Sequence, residues 1–327
     1  MQSKQINNIK KVGILRGGAG KHYIRSLKKG GEIIAHIFEN LGEKYKIFDI
    51  LIDQDHIWHF NGIPINPSDL INRIDAVWNV SHPSFSNILD SLSIPNIGVS
   101  SFAHTLENSK EILREHIKKI DVQMPRSVVL PLYQKDLDGA MDKYAIKKAK
   151  DVFEKFSSPW LVRSFTENSS VSIFLAKTFP ELVNVIKDLS AQACGVKNEA
   201  SILVEEFIAG KVASLYSVPM FRGEEIYVFP LTPVTQKARP QEVFSFSEKE
   251  LLTKIAKDLH KHIGAKHFLK SDFVLNSRGK VYLLQINGVP NLKPDSHFSE
   301  VCESVGAKMH HVVEHILEQM LLNARRI

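Results

Sequence analysis

The sequence predicts a protein of mixed α/β and α+β class with more than one domain. Its 327 residues exceed the usual length of one domain, and 43% of them are hydrophobic, which allows each domain to bury a core. In the N-terminal part, short apolar runs alternate with helical stretches, as in a parallel sheet covered by helices. Later strand candidates come in pairs around short turns, which indicates an α+β arrangement.

A Rossmann-like domain is predicted for residues 1–104. The apolar run Val12–Leu15 is a strand candidate, and a glycine-rich turn and an amphipathic helix follow it. Further strand candidates, separated by helical or turn segments, are Tyr45–Leu51, Ala76–Val80 and Ile94–Val99.

Two α+β domains are predicted for the rest of the chain, with residues 105–206 as the central and 207–327 as the C-terminal domain. Thr232–Val243 contains two prolines and several polar residues, and it is predicted to be a mobile loop. The helix candidates are Thr105–Ile120, Asp138–Phe156, Glu248–His262 and Ala307–Leu321. The strand candidates are Arg126–Leu130, Trp160–Val162, Ile202–Phe207, Ala213–Pro219, Glu225–Phe229, Asp272–Asn276 and Val281–Ile286.

Composition argues against several classes of protein. Cys194 and Cys302 lie far apart, which excludes a disulfide framework and a cysteine-based zinc site. No segment has the ~18 uninterrupted apolar residues of a membrane span, so a soluble, cytoplasmic protein without a membrane partner is expected. The 42 Lys+Arg against 36 Asp+Glu give a net charge of +6. Because this excess is modest and spread along the chain, anionic small molecules explain it as well as nucleic acid.

Three patterns point to ligands. The turn at residues 17–20 follows a strand and precedes a helix, but it lacks the G-x-G-x-x-G spacing, so an ordinary turn explains it at least as well as a phosphate site. The hydroxyl-rich segment at residues 164–172 suits an anion. Asp272 and Asn287 lie on neighbouring strands of a predicted hairpin, with Gln285 on the same face as Asn287, and their oxygens suit a hard cation. A structural alternative, with Asp272 capping a turn and Asn287 beginning a loop, stays open.

Six ordered segments together resemble one family. They are residues 11–18, 94–100 with 108–110, 161–164 with 167–171, 203–208, 270–273 and 284–290. In this order and spacing they resemble the ATP-grasp ligases, and within them the D-alanine–D-alanine ligase family. The resemblance covers nearly the whole chain.

The resemblance implies an ATP-grasp fold and an ATP-dependent carboxylate–amine ligase. Such an enzyme holds ATP between two α+β domains with one or two Mg²⁺ ions, and it joins two amino acids through an acyl phosphate. The partners implied are small amino-acid substrates, without a specific nucleic acid. Family members are commonly dimers, so a homodimer is compatible with the resemblance.

The resemblance also implies which residues bind ATP. Lys110 and Arg163 occupy the positions of the two cationic side chains with which the family binds the phosphates of ATP. Arg163 replaces the lysine that is usual at its position. Glu205 is expected to accept a hydrogen bond from the adenine amine, whereas Val212 replaces the glutamate that binds ribose. The remaining candidates are Glu167, Ser169 and Ser170 for the phosphates and the backbone of Glu206, Phe207 and Ile208 for the adenine edge.

The implied metal ligands are Asp272, Gln285 and Asn287. The family uses two acidic side chains and an asparagine, so the glutamine removes one negative charge and weaker Mg²⁺ binding is expected. Lys270 and Ser170 are the catalytic candidates. Lys270 stands where the family has an arginine that stabilises the oxyanion, and it keeps the charge without the two-pronged donor.

The substrate positions differ most from the family pattern. His82 matches the family histidine near the first amino acid, although a lone histidine is more often structural. His22 stands where the family has the glutamate that takes the ammonium group of the first substrate. Ser296 matches the serine that binds the carboxylate of the second substrate. The long loop of the family is shortened here to Thr232–Val243. Its Lys237 and Arg239 are phosphate-binding candidates, although solvated loop cations explain them better.

Two other functions stay open from the sequence. The missing ribose, metal and ammonium-binding carboxylates are compatible with a non-catalytic ATP-binding protein on the same fold. The net charge of +6 and the lysine-rich helix around residues 143–155 are compatible with a basic interaction protein.

Overall fold

The computed structural model describes residues 9–20, 22–131, 133–165, 173–193, 201–232 and 243–323. The chain divides into two compact units. Unit 1 contains Met1–Val122, Lys211–Leu275 and Leu283–Ile327, and unit 2 contains Gln123–Gly210 and Asn276–Tyr282. The three domain ranges 1–104, 105–206 and 207–327 stay a prediction.

Unit 1 begins with a six-stranded sheet whose centre is parallel. Its order is β4-β3-β2-β1-β5-β6. β1 pairs in parallel with β2 and β5, and β5 pairs in parallel with β6, whereas β3 and β4 add an antiparallel hairpin at one edge. The parallel strands were predicted from the sequence, and the hairpin was not. The strands are β1 (Lys10–Gly17), β2 (Tyr45–Ile52), β3 (Trp58–Phe60), β4 (Ile63–Ile65), β5 (Ala76–Asn79) and β6 (Asn96–Gly98).

The glycine turn after β1 leads into helix α1 (Tyr23–Leu41). Gly17 and Gly18 have φ angles of 89° and 91°, a region that favours glycine. A Cβ atom at Gly17 would also lie 2.1 Å from the carbonyl oxygen of Ile52. The turn therefore requires glycine both for its conformation and for space. It places the N-terminal end of α1 beside the segment that follows β5.

Three short helices follow in this part of unit 1, and one of them corrects a predicted element. They are α2 (Ser84–Ser91), α3 (Ser101–Asn108) and α4 (Lys110–Ile117). The single helix predicted for Thr105–Ile120 is wrong, because the chain is extended at Ser109, with φ −124° and ψ 105°. The Ser109 hydroxyl accepts a hydrogen bond from the backbone N–H of Ile112 at 3.3 Å and so caps a new helix.

Unit 2 is an antiparallel sheet covered by helices. The sheet order is β7-β10-β8-β9. Trp160, Val162 and Val204 belong to its buried core. The elements are β7 (Ser127–Leu130), α5 (Lys135–Asp138), α6 (Met141–Phe153), β8 (Trp160–Phe165), β9 (Ile173–Ala176), α7 (Phe179–Ala193) and β10 (Ser201–Glu206).

The second sheet of unit 1 carries most of the predicted metal and catalytic residues. Its order is β12-β11-β13-β14, and β11 pairs antiparallel with both β12 and β13. The predicted hairpin partners β13 and β14 are neighbours. The elements are β11 (Lys211–Pro219), β12 (Ile226–Val228), α8 (Phe246–Ile263), β13 (Leu269–Leu275), β14 (Val281–Asn287), α9 (His297–Ser304) and α10 (Met309–Asn323).

His260, near the end of α8, is buried and should make the fold sensitive to acid. Its Nδ1 lies 2.7 Å from the Ser217 hydroxyl, and its Nε2 is buried without a hydrogen-bond partner among the described residues. Burial lowers the pKa of His260 to about 4. The unfolded chain has a histidine pKa of about 6.5, so it takes up a proton first as the pH falls.

We expect the contribution of His260 to stability to be complete above pH 6.5 and to be lost between about pH 6.5 and 4, by roughly 2–3 kcal/mol. Urea unfolding at a series of pH values measures this loss. The variant His260→Asn places an amide donor where Nδ1 lies in the wild type, but it does not titrate. As the pH is lowered, its free energy of unfolding should therefore fall less steeply than that of the wild type. Parallel pH profiles would contradict the assignment.

Candidate functional site

Asp272, on β13, is a buried carboxylate surrounded by donors. It is only 7% exposed. Its Oδ1 accepts a hydrogen bond from the Ser214 hydroxyl at 2.5 Å, and its Oδ2 accepts from Lys270 Nζ at 2.9 Å and from Gln285 Nε2 at 2.6 Å. The strand register explains this, because Ser214 on β11 lies directly opposite Asp272. A buried carboxylate needs such partners, and these donors fix its position.

The predicted metal ligands lie on neighbouring strands, as the sequence pattern suggested. Asn287 Oδ1 already accepts a hydrogen bond from the backbone N–H of Val289 at 2.9 Å. Gln285 turns its amide nitrogen toward Asp272, so Asp272 supplies the single negative charge of the set. Among the described residues, no three His, Cys, Asp or Glu side chains gather in a way that could hold a metal ion. A cation at this position would therefore have Asp272 as its one charged ligand of the set.

Lys110 is the first residue of α4, and it reaches β14. Its Nζ donates a hydrogen bond to the carbonyl oxygen of Leu284 at 3.1 Å, next to Gln285 in the sequence. A cation in the first turn opposes the helix dipole, so helix stability does not explain a lysine at this position. The break at Ser109 thus places Lys110 beside the strand of the candidate metal ligands.

Ser296 and His297 mark the start of α9. The Ser296 hydroxyl accepts from the backbone N–H of Ser299 at 3.3 Å and donates to the carbonyl of Asn291 at 3.1 Å, which gives it a capping role. His297 was not predicted from the sequence. Its Nδ1 lies 3.0 Å from the Tyr216 hydroxyl, and its pKa is lowered mainly by burial. Binding of a substrate carboxylate by Ser296 stays a prediction.

A cleft within unit 1 brings together residues from four separate segments. The two predicted substrate histidines, His22 and His82, both line it, and His104 of α3 lies between them. The His82 and His104 ring centres are 5.2 Å apart, and those of His22 and His104 are 5.6 Å apart. The other lining residues are Gly17, Ala19, Arg25, Ser26, Lys29, Asn79, Val80, Ser81, Val99, Glu107, Asn108, Asn287 and Val289.

Several of these lining residues were missed from the sequence. Arg25 Nη2 lies 3.1 Å from Glu107 Oε1, although the two residues are 82 positions apart. No local motif marks such a pair, since it forms only when α1 and α3 meet at the end of the parallel sheet. The uninterrupted helix predicted from Thr105 also left His104 outside any element.

In unit 2, the predicted phosphate cation and the predicted adenine acceptor pair with each other. Arg163 Nη2 lies 2.5 Å from Glu205 Oε2, with side-chain exposures of 15% and 3%. The pair is possible because β8 and β10 are antiparallel neighbours, with Arg163 opposite Leu203. Arg163 therefore supplies a buried, neutralised charge at this position.

The segment Glu206–Ile208 already uses part of its hydrogen-bonding capacity. The Glu206 side chain binds Arg126 at two points, each 2.9 Å long. The backbone N–H groups of Glu206 and Phe207 donate to the carbonyls of Arg126 and Pro159 at 2.9 Å and 3.1 Å. A role of this segment at an adenine edge therefore depends on its carbonyls and on the N–H of Ile208.

Some predicted residues lie outside the described part of the chain. They are Glu167, Ser169 and Ser170 of the hydroxyl-rich segment and Lys237 and Arg239 of the predicted loop. In the ranges that are described, no helix is both long and apolar enough to cross a membrane.

Comparison with known proteins identifies similar sequences. Residues 234–318 match the family model described as D-ala D-ala ligase C-terminus, a range that contains β13 and β14. The D-alanine–D-alanine ligase of Pelagibacter ubique (strain HTCC1062) is 26% identical over 96% of this chain and 99% of that protein. The corresponding enzyme of Thermotoga maritima is 23% identical over 95% of this chain and 98% of that protein.

Solved structures have the same fold. The D-alanine–D-alanine ligase from Coxiella burnetii has a TM-score of 0.68 at 15% identity, covering 97% of this chain and 96% of its own. The ligase from Bacillus anthracis complexed with ATP has a TM-score of 0.63 at 17% identity, covering 98% and 99%. At these identities the likeness establishes a shared fold.

Proposed function

We propose that this chain, a divergent ATP-grasp protein similar to D-alanine–D-alanine ligases over nearly all of its length, is an ATP-dependent carboxylate–amine ligase. The ATP-grasp fold predicted from the sequence is confirmed by its structural neighbours. The observation that carries the function is the cluster of Lys270, Asp272 and Gln285, which lies within the segment that matches the ligase family model. D-alanine–D-alanine ligation, or ligation of a related substrate pair, is the reaction that these similarities favour.

The proposed reaction has two steps. A carboxylate oxygen of the first substrate attacks the γ-phosphorus of ATP, the bond to the β,γ-bridging oxygen breaks, and ADP leaves. The amine of the second substrate then attacks the carbonyl carbon, the bond to the phosphate oxygen breaks, and the amine nitrogen loses a proton. Both steps build up negative charge on oxygen, which cations stabilise. Lys110 and Lys270 are the candidates for that role.

Mg²⁺ is the cofactor proposed with ATP, where it would neutralise phosphate charge. Asp272 and Asn287 offer oxygen ligands, and Gln285 orients Asp272 through its amide nitrogen. A single protein carboxylate supports weaker binding than two would, so we expect the ion to arrive with the nucleotide.

Gln285→Glu should make the thermal stability of the protein depend more strongly on Mg²⁺. The new carboxylate would replace an amide that now donates to Asp272 at 2.6 Å, so two negative charges would repel until a cation binds. We expect a lower melting temperature without Mg²⁺ and a larger rise when Mg²⁺ is added than in the wild type. The exposed Gln192→Glu on α7 makes the same charge change and should respond to Mg²⁺ as the wild type does. Equal Mg²⁺ responses of both variants would contradict the assignment of Gln285 to the metal site.

Phosphate release from Mg·ATP with a panel of D- and L-amino acids, with products identified by mass, tests the function. A product containing an amide bond, formed together with ADP and phosphate, supports the ligase. Release that no carboxylate–amine pair raises above background would reject it. ATP-dependent thermal stabilisation without turnover would instead indicate the non-catalytic ATP-binding protein.

A further inference from the structure

Tyr216, His297 and Thr232 form a chain of hydrogen-bonded residues in unit 1. Tyr216, on β11, is only 4% exposed and belongs to a hydrophobic core cluster. Its hydroxyl lies 3.0 Å from His297 Nδ1. His297 Nε2 lies 3.1 Å from the hydroxyl and 3.3 Å from the carbonyl oxygen of Thr232. Phenylalanine would fill the same core position without a polar group to satisfy, so packing alone does not explain the hydroxyl of Tyr216.

The carbonyl of Thr232 fixes the directions of these hydrogen bonds. A carbonyl oxygen only accepts, so His297 Nε2 carries a proton. Burial lowers the pKa of His297, which favours the neutral ring, and Nδ1 of that ring is an acceptor. Tyr216 therefore donates to His297 Nδ1. Among the described residues, His297 is the one hydrogen-bond partner of the Tyr216 hydroxyl.

The strand register places Tyr216 next to the candidate catalytic lysine. Tyr216 lies directly opposite Lys270 in the antiparallel pair of β11 and β13, and Ser214 lies opposite Asp272. Alternate residues of a strand share one face, so these four side chains lie on the same face of the sheet. Because directly opposite residues have Cβ atoms about 4.5–5.5 Å apart, the ring of Tyr216 flanks the aliphatic part of Lys270.

Electrostatic effects also place the pair of Tyr216 and His297 close to Lys270 and Asp272. Burial raises the pKa of Tyr216, and the charge of Asp272 adds to that rise. The charge of Lys270 lowers the pKa of His297, whereas the charges of Glu300 and Asp272 raise it. The pair thus lies beside the charged groups of the candidate site, and as a neutral pair it adds no charge to them.

Aromatic contacts hold the ring of Tyr216 independently of its hydroxyl. The ring centres of Phe298 and Phe268 lie 4.9 Å and 6.1 Å from that of Tyr216. His297 is the first residue of α9, so its hydrogen bond with Tyr216 joins the start of this helix to β11. The hydroxyl therefore adds a directional link to a ring that is already packed.

From this arrangement we infer that Tyr216 and His297 are positioning residues of the ligase. Their hydrogen bond holds the ring of Tyr216 against Lys270 and so keeps the Lys270 side chain in place beside Asp272. The inference rests on the proposed function, in which Lys270 stabilises the negative charge that develops on oxygen. A small displacement of such a group lowers the rate of the chemical step, although the group itself is intact.

Tyr216→Phe tests the inference, because it removes the hydroxyl and keeps the packed ring. Assays use the substrate pair that the amino-acid panel identifies. We expect kcat to fall at least about tenfold, KM for ATP to stay within about twofold, and the melting temperature to change by only a few degrees. A merely structural hydroxyl would change the melting temperature and leave kcat as it is. A wild-type kcat of Tyr216→Phe would overturn the inference.

Tyr133→Phe is the matched control in unit 2. The Tyr133 hydroxyl donates to the carbonyl of Gly139 at 2.5 Å, so this variant also loses one hydroxyl and one hydrogen bond. It should leave kcat unchanged. An equal loss of kcat in Tyr133→Phe and Tyr216→Phe would overturn the inference.

Variants of His297 test whether the two residues act as a unit. His297→Leu removes the acceptor and should lower kcat as much as Tyr216→Phe does, and the double variant should lose no more than either single variant. His297→Asn offers an amide oxygen near the position of Nδ1, so it should keep more of the wild-type kcat than His297→Leu. Losses that multiply in the double variant would overturn the inference, and so would equal losses in His297→Asn and His297→Leu.

The outcomes for the inference and for the proposed function are distinct. Amide formation by the wild type, together with an unchanged kcat in Tyr216→Phe, would keep the ligase function and overturn the positioning role. The absence of amide formation by the wild type with any substrate pair would reject the ligase, and the positioning role with it.

Discussion

Replacing Asp272 by asparagine is expected to lower the rate of ATP-dependent amide formation by about 10³-fold while the fold is kept. Asp272 is the sole acid among the three predicted metal ligands, and Lys270 and Gln285 both donate to its Oδ2. The amide keeps the size of the side chain but removes the negative charge that positions Lys270 and that would attract the cation of the proposed metal site. Steady-state phosphate release measures the loss.

The melting temperature and a matched control separate loss of chemistry from loss of fold. In Asp272→Asn the amide oxygen would still accept a hydrogen bond from Ser214 or Gln285, so the melting temperature should change by only a few degrees. Asp188→Asn removes the same charge from an exposed position on α7 and should keep full activity. Full activity of Asp272→Asn would show that the site has been assigned to the wrong residues.

Lys110→Met should lower turnover by at least about 10²-fold, because it removes a cation assigned to the phosphates. The methionine keeps the aliphatic part of the side chain and loses the ammonium that now donates to the carbonyl of Leu284 at 3.1 Å. We expect both a higher KM for ATP and a lower kcat, since the charge acts in the ground state and in the transition state. Initial rates over a range of ATP concentrations give both parameters.

Lys118→Met is the control for the loss of a lysine in the same region. Lys118 is exposed and pairs with Glu115 across one helical turn, an interaction that contributes little to stability. Its loss should leave both kinetic constants unchanged. Wild-type kinetics of Lys110→Met would instead assign Lys110 to the packing of α4 against β14.

Local patterns predicted most of the secondary structure because they report on neighbouring residues. The apolar runs at Val12–Leu15 and Tyr45–Leu51 became β1 and β2, and the helix predicted for Glu248–His262 became α8, as expected from their periodicity. The helix across residues 105–120 was the main error. From the sequence, Ser109 is a serine inside an amphipathic stretch, a position that a helix tolerates. Only its extended backbone in the structure shows that it caps a new helix.

The family resemblance predicted which segments carry the candidate site, since each segment is a short run of adjacent residues. Asp272 and Gln285 meet as the predicted hairpin required. Ser214 could not be predicted in the same way, because its contact with Asp272 depends on the register between β11 and β13.

The sequence by itself determined the class of fold, the order of most elements and the segments that resemble a ligase. Tertiary structure alone decided which distant side chains meet. It pairs Arg163 with Glu205 and Arg25 with Glu107, and it places His104 between His22 and His82. The physical reason is distance along the chain. Periodicity and motifs depend on residues a few positions apart, whereas the charge of a cleft is the sum of side chains that the chain path brings together from distant segments.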